Sequence, residues 1–392
     1  MLTTKSFQIV KLYDFAKFRI RYFKIDIDLK HKIILKQYML MFSKVFFWNE
    51  VERNNMNKVL SGFVLMVALL LAASLPAAES TTPFLVDCEL HYLNFNQSGD
   101  GMEKLFIEMD RVGIKSVWLM GIPLQKVWDE HNPIRPVAYE SDAGRVYYYS
   151  TTDIILARAI QALSSEQRNR IRPFICGFNP TDRNAVEHVR LMLRLYPGLW
   201  SGIGEILTRH DVLSHLTYGE SARADHLALD PIYELAAKEN LPVLLHSNIT
   251  SSREPGFIYL KEVENALKKH PQTKIIWAHG GTSANIERRQ HLIGLDKIIG
   301  RLLDEYSNLS IMLSWSLTSC YLLDHQRKPD PAWIALLIRH PDRFLIGSDI
   351  VGRFAKLEEA FCEELTLLKC LPPAVAAQIA HGNAEKLLKT DK

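Results

Sequence analysis

The sequence predicts an α/β protein whose folded part is a single (β/α)8 barrel, the TIM-barrel architecture. From residue 84 onward, eight short apolar runs alternate with longer segments in which apolar residues recur at helical spacing. The runs are nearly continuous in apolar residues, as expected for parallel strands that are covered on both faces. Eight such units over roughly 300 residues match the length and the strand count of this barrel.

The eight predicted strands, in chain order, are FLVDCELH, KSVWLMG, RIRPFICGF, LWSGIGEIL, LPVLLHSN, TKIIWAHGG, NLSIMLSWS and RFLIGSD. A predicted helix follows each of them, and PAVAAQIAHGNAEKLL predicts a closing helix. The second and fourth connections are long and polar, and loops at the carboxyl ends of barrel strands usually form the pocket. A doubly wound sheet is the alternative, but no glycine-rich phosphate loop follows the first predicted strand.

The chain before residue 84 has a different character. Residues 1–55 contain neither glycine nor proline, and we expect them to be a spurious or disordered N-terminal extension. From Met56, a basic start, an apolar run and a small-residue end at Ala78 follow the order of a secretory signal peptide. We therefore predict a signal peptide at residues 56–78, with export to the periplasm or the medium, and a mature barrel domain at residues 84–390. The alternative is a genuine extension in which the apolar run is a marginal membrane anchor.

Composition disfavours a nucleic-acid-binding or membrane-spanning protein. The net charge is only +3, and residues 1–55 carry an excess of basic residues. The apolar run from Val59 to about Leu71 is short for a transmembrane helix. We therefore expect a small-molecule substrate, no nucleic acid, no stable membrane anchor after signal cleavage, and a monomer or homo-oligomer.

Acidic and imidazole side chains stand at the ends of five predicted strands: Glu89 and His91, Glu205, His246, His279 and Asp349. The carboxyl ends of barrel strands meet at one mouth, so we expect these side chains to lie together. A single histidine after an apolar run is more often a hydrogen-bonded core residue, but five strands that end this way indicate a site. Imidazole and carboxylate ligands without thiolates favour Zn²⁺, Mn²⁺ or Fe²⁺ in a catalytic site over a structural zinc.

Taken together, these motifs resemble the amidohydrolase superfamily, in its amidohydrolase-related branch of metal-dependent hydrolases and decarboxylases. The matching features are Asp-x-Glu-x-His in the first strand, the fifth-strand histidine, His-Gly-Gly, Gly-Ser-Asp and HGNAEKLL, over roughly residues 84–390. The resemblance implies one divalent metal ion, zinc first and manganese or iron next, held by Glu89, His91, His246 and Asp349. It also implies that His279 lies near the metal. Glu205 is either a further metal ligand, of the kind that bridges two metals in hydrolytic branches, or the partner of an arginine.

We therefore predict a metal-dependent hydrolase of a small-molecule amide, ester or lactone. In this prediction Asp349 is the general base for a metal-activated water, and His279 stabilises the developing oxyanion. Glu89 stands where the commonest family pattern has histidine, and this resembles the non-oxidative decarboxylases. A decarboxylase of an aromatic or related carboxylic acid is therefore the alternative, and a non-catalytic periplasmic binding protein is a third hypothesis.

Two residues are candidates for contact with the substrate. Arg253, in the loop after the fifth strand, could bind a carboxylate through two hydrogen bonds. Trp118, in the second strand, could form an aromatic wall. The ordinary alternatives are a solvated loop arginine and an aromatic residue that packs the fold.

Overall fold

The computed structural model describes residues 84–93, 99–126, 146–148, 150–211, 213–214, 217 and 219–388. The predicted extension at 1–55 and the predicted signal peptide at 56–78 lie outside the described residues, as does most of the connection after the second predicted strand. Within the described ranges, no helix has the length and apolar character that a membrane span requires.

All eight predicted strands are present, together with three short additional ones. The strands are β1 (Leu85–His91), β2 (Ile114–Met120), β3 (Leu124–Lys126), β4 (Val146–Tyr148), β5 (Ile171–Ile175), β6 (Gly202–Thr208), β7 (Val243–Ser247), β8 (Ile275–Trp277), β9 (Leu309–Leu313), β10 (Phe344–Ile346) and β11 (Ile350–Val351). Nine of them form one sheet in which every pairing is parallel, and β3 and β4 form a separate antiparallel hairpin.

The eighth strand joins the seventh to the first. β10 pairs with β9, and after a break at 347–349 the chain pairs with β1 through β11, with His91 opposite Val351. Backbone hydrogen bonds continue across the break, from Gly347 N to Leu313 O at 3.0 Å and from Asp349 N to Glu89 O at 2.7 Å. Each strand of the set therefore has a neighbour on both sides, and the fold is the predicted (β/α)8 barrel.

Helices follow the strands as the sequence predicted. They are α1 (Gly101–Val112), α2 (Thr151–Gln161), α3 (Ser165–Arg168), α4 (Ala185–Leu195), α5 (Asp230–Lys238), α6 (Leu260–Lys269), α7 (Ala284–Glu287), α8 (Leu295–Glu305), α9 (Pro331–Arg339), α10 (Leu357–Lys369), α11 (Pro373–Ala377) and α12 (Asn383–Leu388). The start of α9 shows why a helix begins at a particular residue. The Asp330 side chain accepts hydrogen bonds from Ala332 N and Trp333 N, and Pro331 occupies the first turn, where its missing N–H costs nothing.

Two hydrophobic cores follow from the two faces of the strands. The larger core lies between the strands and the surrounding helices. The smaller one draws side chains from seven of the eight barrel strands, among them Val86, Phe174 and Ile276, and so fills the barrel interior. Ala384 of α12 belongs to this inner core, which places the closing helix against the barrel.

Glu287, the last residue of α7, provides a test of pH-dependent stability. Tyr321 Oη donates a hydrogen bond to Glu287 Oε1 at 2.5 Å and accepts one from Leu292 N at 3.0 Å. Burial raises the pKa of Glu287 from 4.5 to about 7, against the opposing effect of the tyrosine. A carboxyl group whose folded-state pKa is raised stabilises the fold below its unfolded pKa and loses that contribution as the pH rises.

We therefore expect the parent protein to lose thermal stability between pH 4.5 and about 7 relative to Glu287→Gln, which keeps the acceptor oxygen but cannot ionise. Thermal unfolding of both proteins across this range, at constant ionic strength, measures the difference. Parallel curves would show that Glu287 does not titrate in this way.

Candidate active site

Six side chains meet at the carboxyl end of the barrel. They form what we call the His–carboxylate cluster: Glu89, His91, Glu205, His246, His279 and Asp349. Five of the six side chains are at most 5% exposed, and Asp349 is 15% exposed. Three overlapping trios of these residues each offer ligand atoms that lie within 4.8 Å of one another. The structure thus brings together every residue that the sequence predicted as a metal ligand or a catalytic group.

His91 is oriented by a backbone carbonyl. Its Nδ1 lies 2.9 Å from Gly121 O, so Nδ1 carries the hydrogen and donates it to this carbonyl. Its Nε2 lies 3.3 Å from Glu205 Oε2 and 3.4 Å from Asp349 Oδ1. The nitrogen that Gly121 leaves free therefore faces the carboxylates, as in metal-ligating histidines whose other nitrogen is hydrogen-bonded.

Glu205 lies between two histidines. Its Oε1 lies 3.0 Å from His246 Nδ1, and its Oε2 faces His91. The other nitrogen of His246 lies 3.2 Å from Asn248 Oδ1, which accepts its hydrogen and turns Nδ1 toward Glu205. The arginine partner considered for Glu205 is absent among the described residues, where its charged neighbours are histidines.

Ser314, immediately after β9, connects His279 to Glu89. Its hydroxyl donates to Glu89 Oε2 at 2.7 Å, and His279 Nδ1 lies 2.7 Å from the same oxygen atom of the serine. A hydroxyl has one hydrogen, so Ser314 Oγ must accept from His279 Nδ1–H. His279 Nε2 then carries the lone pair and lies 3.8 Å from Glu89 Oε1 and 3.7 Å from Asp349 Oδ2.

The first strand does not follow the strict alternation that its sequence suggests. Val86 and Cys88 pack in the barrel interior, whereas Leu90 packs against the helices. The pairing with β2 shifts register between Asp87 and Leu90, and this irregularity changes the phase of the strand. Glu89 and His91 both enter the cluster, but Asp87 does not.

Asp87 instead connects the first strand to the eighth. Its carboxylate accepts hydrogen bonds from Ser348 N at 2.9 Å, from Ser348 Oγ at 2.6 Å and from Glu89 N at 3.1 Å. Burial raises the pKa of Asp87 to about 7, although the hydrogen bonds from Ser348 oppose that rise. Asp87 is therefore a support for Glu89 and for the turn that carries Asp349.

Each residue of the Gly-Ser-Asp motif has a distinct structural feature. A Cβ on Gly347 would lie 2.7 Å from the Cβ of Glu89, so a larger residue would displace that carboxylate. Ser348 binds Asp87, and Asp349 has a left-handed backbone with φ 51°. His279 has a similar φ of 53°. Such backbone angles cost energy for residues other than glycine, and they concentrate at functional sites.

Burial and mutual charge shift the pKa values in the cluster. Burial raises the pKa of Glu89 well above its usual range, and the charges of Asp349 and Glu205 raise it further. Burial alone would lower the pKa of His91, but Asp349 and Glu205 hold it well above the usual value. Burial alone would raise the pKa of Glu205, but His246 and His91 hold it well below. The carboxylates therefore repel one another and need positive charge among them.

A divalent cation fits this donor set. Three nearly buried carboxylates are costly without a compensating charge. Glu89 Oε1 is buried and has no hydrogen-bond partner in the described structure, and Nε2 of His91 and of His279 face the neighbouring carboxylates. All donors are nitrogen or oxygen, which suits Zn²⁺, Mn²⁺ or Fe²⁺.

A cleft opens beside the cluster. Besides His91, Glu205, His246 and Asp349, its described lining consists of Ile122, Leu207, His210, Leu213, Trp315 and Val351. The His210 ring stacks on that of His246 with centroids 4.6 Å apart. His210, Ser314 and Trp315 were not among the site residues predicted from the sequence. Ser314 and Trp315 directly follow an apolar strand, and that position was the signal available for both.

Neither predicted substrate contact lies in the described cleft lining. Trp118 is fully buried in the inner core and stacks on Phe174 at 5.0 Å, so it packs the barrel. Arg253 is exposed in the loop after β7, where its backbone N–H donates to Ser251 Oγ at 3.2 Å. A role for Arg253 in substrate binding stays a prediction.

A (β/α)8 barrel with imidazole and carboxylate ligands at its mouth is an architecture of metal-dependent enzymes. The family model described as amidohydrolase matches residues 173–390, more than half of the chain. The chain belongs to the amidohydrolase family, and it is an enzyme of that superfamily.

Solved structures with a similar fold include proteins from three bacteria. An uncharacterised TIM-barrel protein from Bordetella bronchiseptica is 15% identical, with a TM-score of 0.49 over 78% of this chain and 98% of its own. A 4-oxalomesaconate hydratase from Rhodopseudomonas palustris is 13% identical, with a TM-score of 0.45 over 78% and 95%. A probable 2-pyrone-4,6-dicarboxylic acid hydrolase from Acinetobacter baumannii is 13% identical, with a TM-score of 0.43 over 78% and 98%. No curated protein matches the sequence.

Proposed function

We propose that this protein is a metal-dependent hydrolase that cleaves an amide, ester or lactone bond in a small molecule. One observation carries the proposal. Asp349 is the most exposed carboxylate of the cluster, it lines the cleft, and it lies 3.4 Å from His91 Nε2. A group in this position can hold the ion on one side and reach a reacting molecule on the other, as a general base requires.

The residues that would hold the ion are Glu89, His91, His246 and Asp349, with Glu205 between the two histidines. Zinc is the first choice, and the same donors also suit manganese and iron. When bound, such an ion acts as a Lewis acid and lowers the pKa of a bound water to roughly 7.

Asp349 and His279 are the groups that would take part in proton transfer during the reaction. Asp349 accepts it from the attacking water, and its Oδ2 lies 3.7 Å from His279 Nε2. Because His279 donates through Nδ1 to Ser314, and because burial lowers the pKa of His279, Nε2 is unprotonated in the resting site. The predicted role of His279 as an oxyanion donor therefore requires that Nε2 first take up a proton. The proton that Asp349 accepts from the water passes to the leaving oxygen or nitrogen of the cleaved bond, so the proton on Nε2 must come from solvent in the cleft.

A decarboxylase is the second candidate, and Glu89 is the observation that favours it. Glu89 stands in the first metal-binding pair, where hydrolases of this branch commonly have histidine. In that reaction Asp349 would donate a proton to the carbon that loses carbon dioxide. The described cleft lining favours hydrolysis, because it adds apolar and imidazole side chains to a site already rich in carboxylates. Such walls suit an uncharged substrate better than a carboxylic acid.

Metal analysis of the purified protein, followed by two product assays, tests the proposal. We expect about one equivalent of a divalent metal, as in one-metal catalytic sites. We also expect hydrolysis of members of an ester, lactone and amide panel that is lost with a chelator and restored by zinc, manganese or iron. Carbon dioxide release from hydroxybenzoic acids without any hydrolysis would instead support the decarboxylase. Protein without stoichiometric metal would contradict both candidates.

A further inference from the structure

Trp315 exposes an aromatic surface at the mouth of the barrel. It directly follows Ser314 and is 49% exposed. The large apolar side chains that are exposed in the described structure are Ile107, Leu195, Leu227, Ile258, Ile293, Trp315 and Ile338. Of these, Trp315 alone lines the cleft. A tryptophan this exposed beside a cluster of buried ligands suggests contact with a substrate rather than with the core.

The backbone keeps the indole in this position. Trp315 has a φ of 49°, a left-handed conformation that bulky residues rarely adopt. Ser319 N and Ser319 Oγ both donate to Trp315 O at 3.1 Å, and these hydrogen bonds fix the turn. Ser314 reaches into the cluster while the next residue stays at the surface. Strain of this kind persists where the surrounding structure enforces it, commonly at ligand-binding sites.

The Trp315 indole has both the His–carboxylate cluster and apolar side chains of the cleft near it. Its ring lies 6.1 Å from that of His279, at an interplanar angle of 69°. Leu207 and Leu213 pack together in a small separate core and form part of the same cleft lining. A planar group on the indole would therefore have apolar walls nearby and its substituent beside the cluster.

We propose that Trp315 is a specificity residue that binds a planar, uncharged ring of the substrate, which makes the substrate an aryl-bearing ester, lactone or amide. This inference rests on the hydrolase function proposed above. The face of an indole prefers other planar rings in offset-stacked or edge-to-face contact, so a flat ring gains more from it than a puckered ring of similar size.

A matched pair of esters tests this preference. Benzyl acetate and cyclohexylmethyl acetate share the acyl group and a primary alcohol leaving group, and they differ in the planarity of the ring. Ethyl acetate serves as the ester without a ring. The proteins to compare are the parent, Trp315→Ala, Trp315→Phe, and Leu227→Ala as a control, since Leu227 is 74% exposed and does not line the cleft.

We expect the parent and Leu227→Ala to prefer benzyl acetate. Trp315→Ala should lose about tenfold in kcat/KM for this ester and little for ethyl acetate, whereas Trp315→Phe should keep most of the preference. An equal loss for all three esters in Trp315→Ala would overturn the inference, because it would show a structural role. An unchanged ratio of benzyl to cyclohexylmethyl ester would overturn it as well.

Binding of benzyl alcohol and cyclohexylmethanol, followed by ligand-observed NMR, separates this inference from the hydrolase proposal. If no ester, lactone or amide is cleaved, the hydrolase proposal fails. Selective binding of benzyl alcohol that Trp315→Ala abolishes would still support the ring site, and equal binding of both alcohols would refute it.

Discussion

Asp349→Asn is expected to lower kcat by about 10² to 10⁴-fold, the range for loss of a positioned acid–base group. Asparagine keeps the shape of the side chain and an oxygen atom for the ion, but it cannot accept the proton of the attacking water. With metal supplied in excess, the bound metal should stay near the parent value even though loss of a ligating charge weakens the affinity. Steady-state kinetics on the best ester of the panel, with metal analysis of the same preparation, measures both quantities.

Asp342→Asn is the matched control for this experiment. Asp342 precedes the same strand at its opposite end, where its side chain is 47% exposed near Lys386. Residues at the amino-terminal face of a barrel contribute to stability rather than to chemistry, so kcat should stay at the parent value. A fully metallated Asp349→Asn protein with kcat near the parent value would show that Asp349 is not the base.

Glu89→Gln is expected to weaken metal binding more than any change outside the direct ligands. Changes to groups that merely orient ligands cost about 10–100-fold in affinity, and loss of a ligating charge should exceed that. Competition with a chromophoric chelator measures the dissociation constant.

In the metal-free protein, the same substitution should favour the stability of the fold at higher pH. Burial and the charges of Asp349 and Glu205 raise the pKa of Glu89, so the parent should lose stability as the pH rises above 4.5, and the glutamine variant should lose less.

Ser314→Ala is the comparison that separates charge from orientation. It removes the hydrogen bonds of Ser314 with Glu89 and His279 but leaves the carboxylate in place. We expect its loss of affinity to fall within about 10–100-fold, below that of Glu89→Gln. If Ser314→Ala bound metal as the parent does, the link between His279 and Glu89 would have no part in holding the ion.

The sequence predicted the barrel and the members of the cluster because both follow from position along parallel strands. His246 is the penultimate residue of β7, and Asp349 follows β10 by three residues, so the barrel itself brings them to one mouth. Apolar runs that alternate with segments of helical spacing define such strands well. The chemistry of the site could thus be inferred from residue type and strand position alone.

The placement of the other residues in and around the site depends on tertiary geometry that residue type does not encode. The phase change within β1 separates Asp87 from Glu89, although strict alternation predicts one face for both. Trp118 lies two residues before the end of β2, and at that depth an inward side chain fills the barrel below the mouth. Ser314 orients the cluster through a single hydroxyl group, and serine after a strand is too common to be recognised.

The closure of the barrel has a consequence for how the protein acquires its site. Ser348 and Asp87 are 261 positions apart, and their contact docks the strand that carries Glu89 beside the turn that carries Asp349. Contacts between the two ends of a long chain have high contact order and tend to form late in folding. A nascent chain that has not yet delivered its last strand therefore lacks Asp349, one of the four proposed ligands, and capture of the ion would report that synthesis and closure are complete.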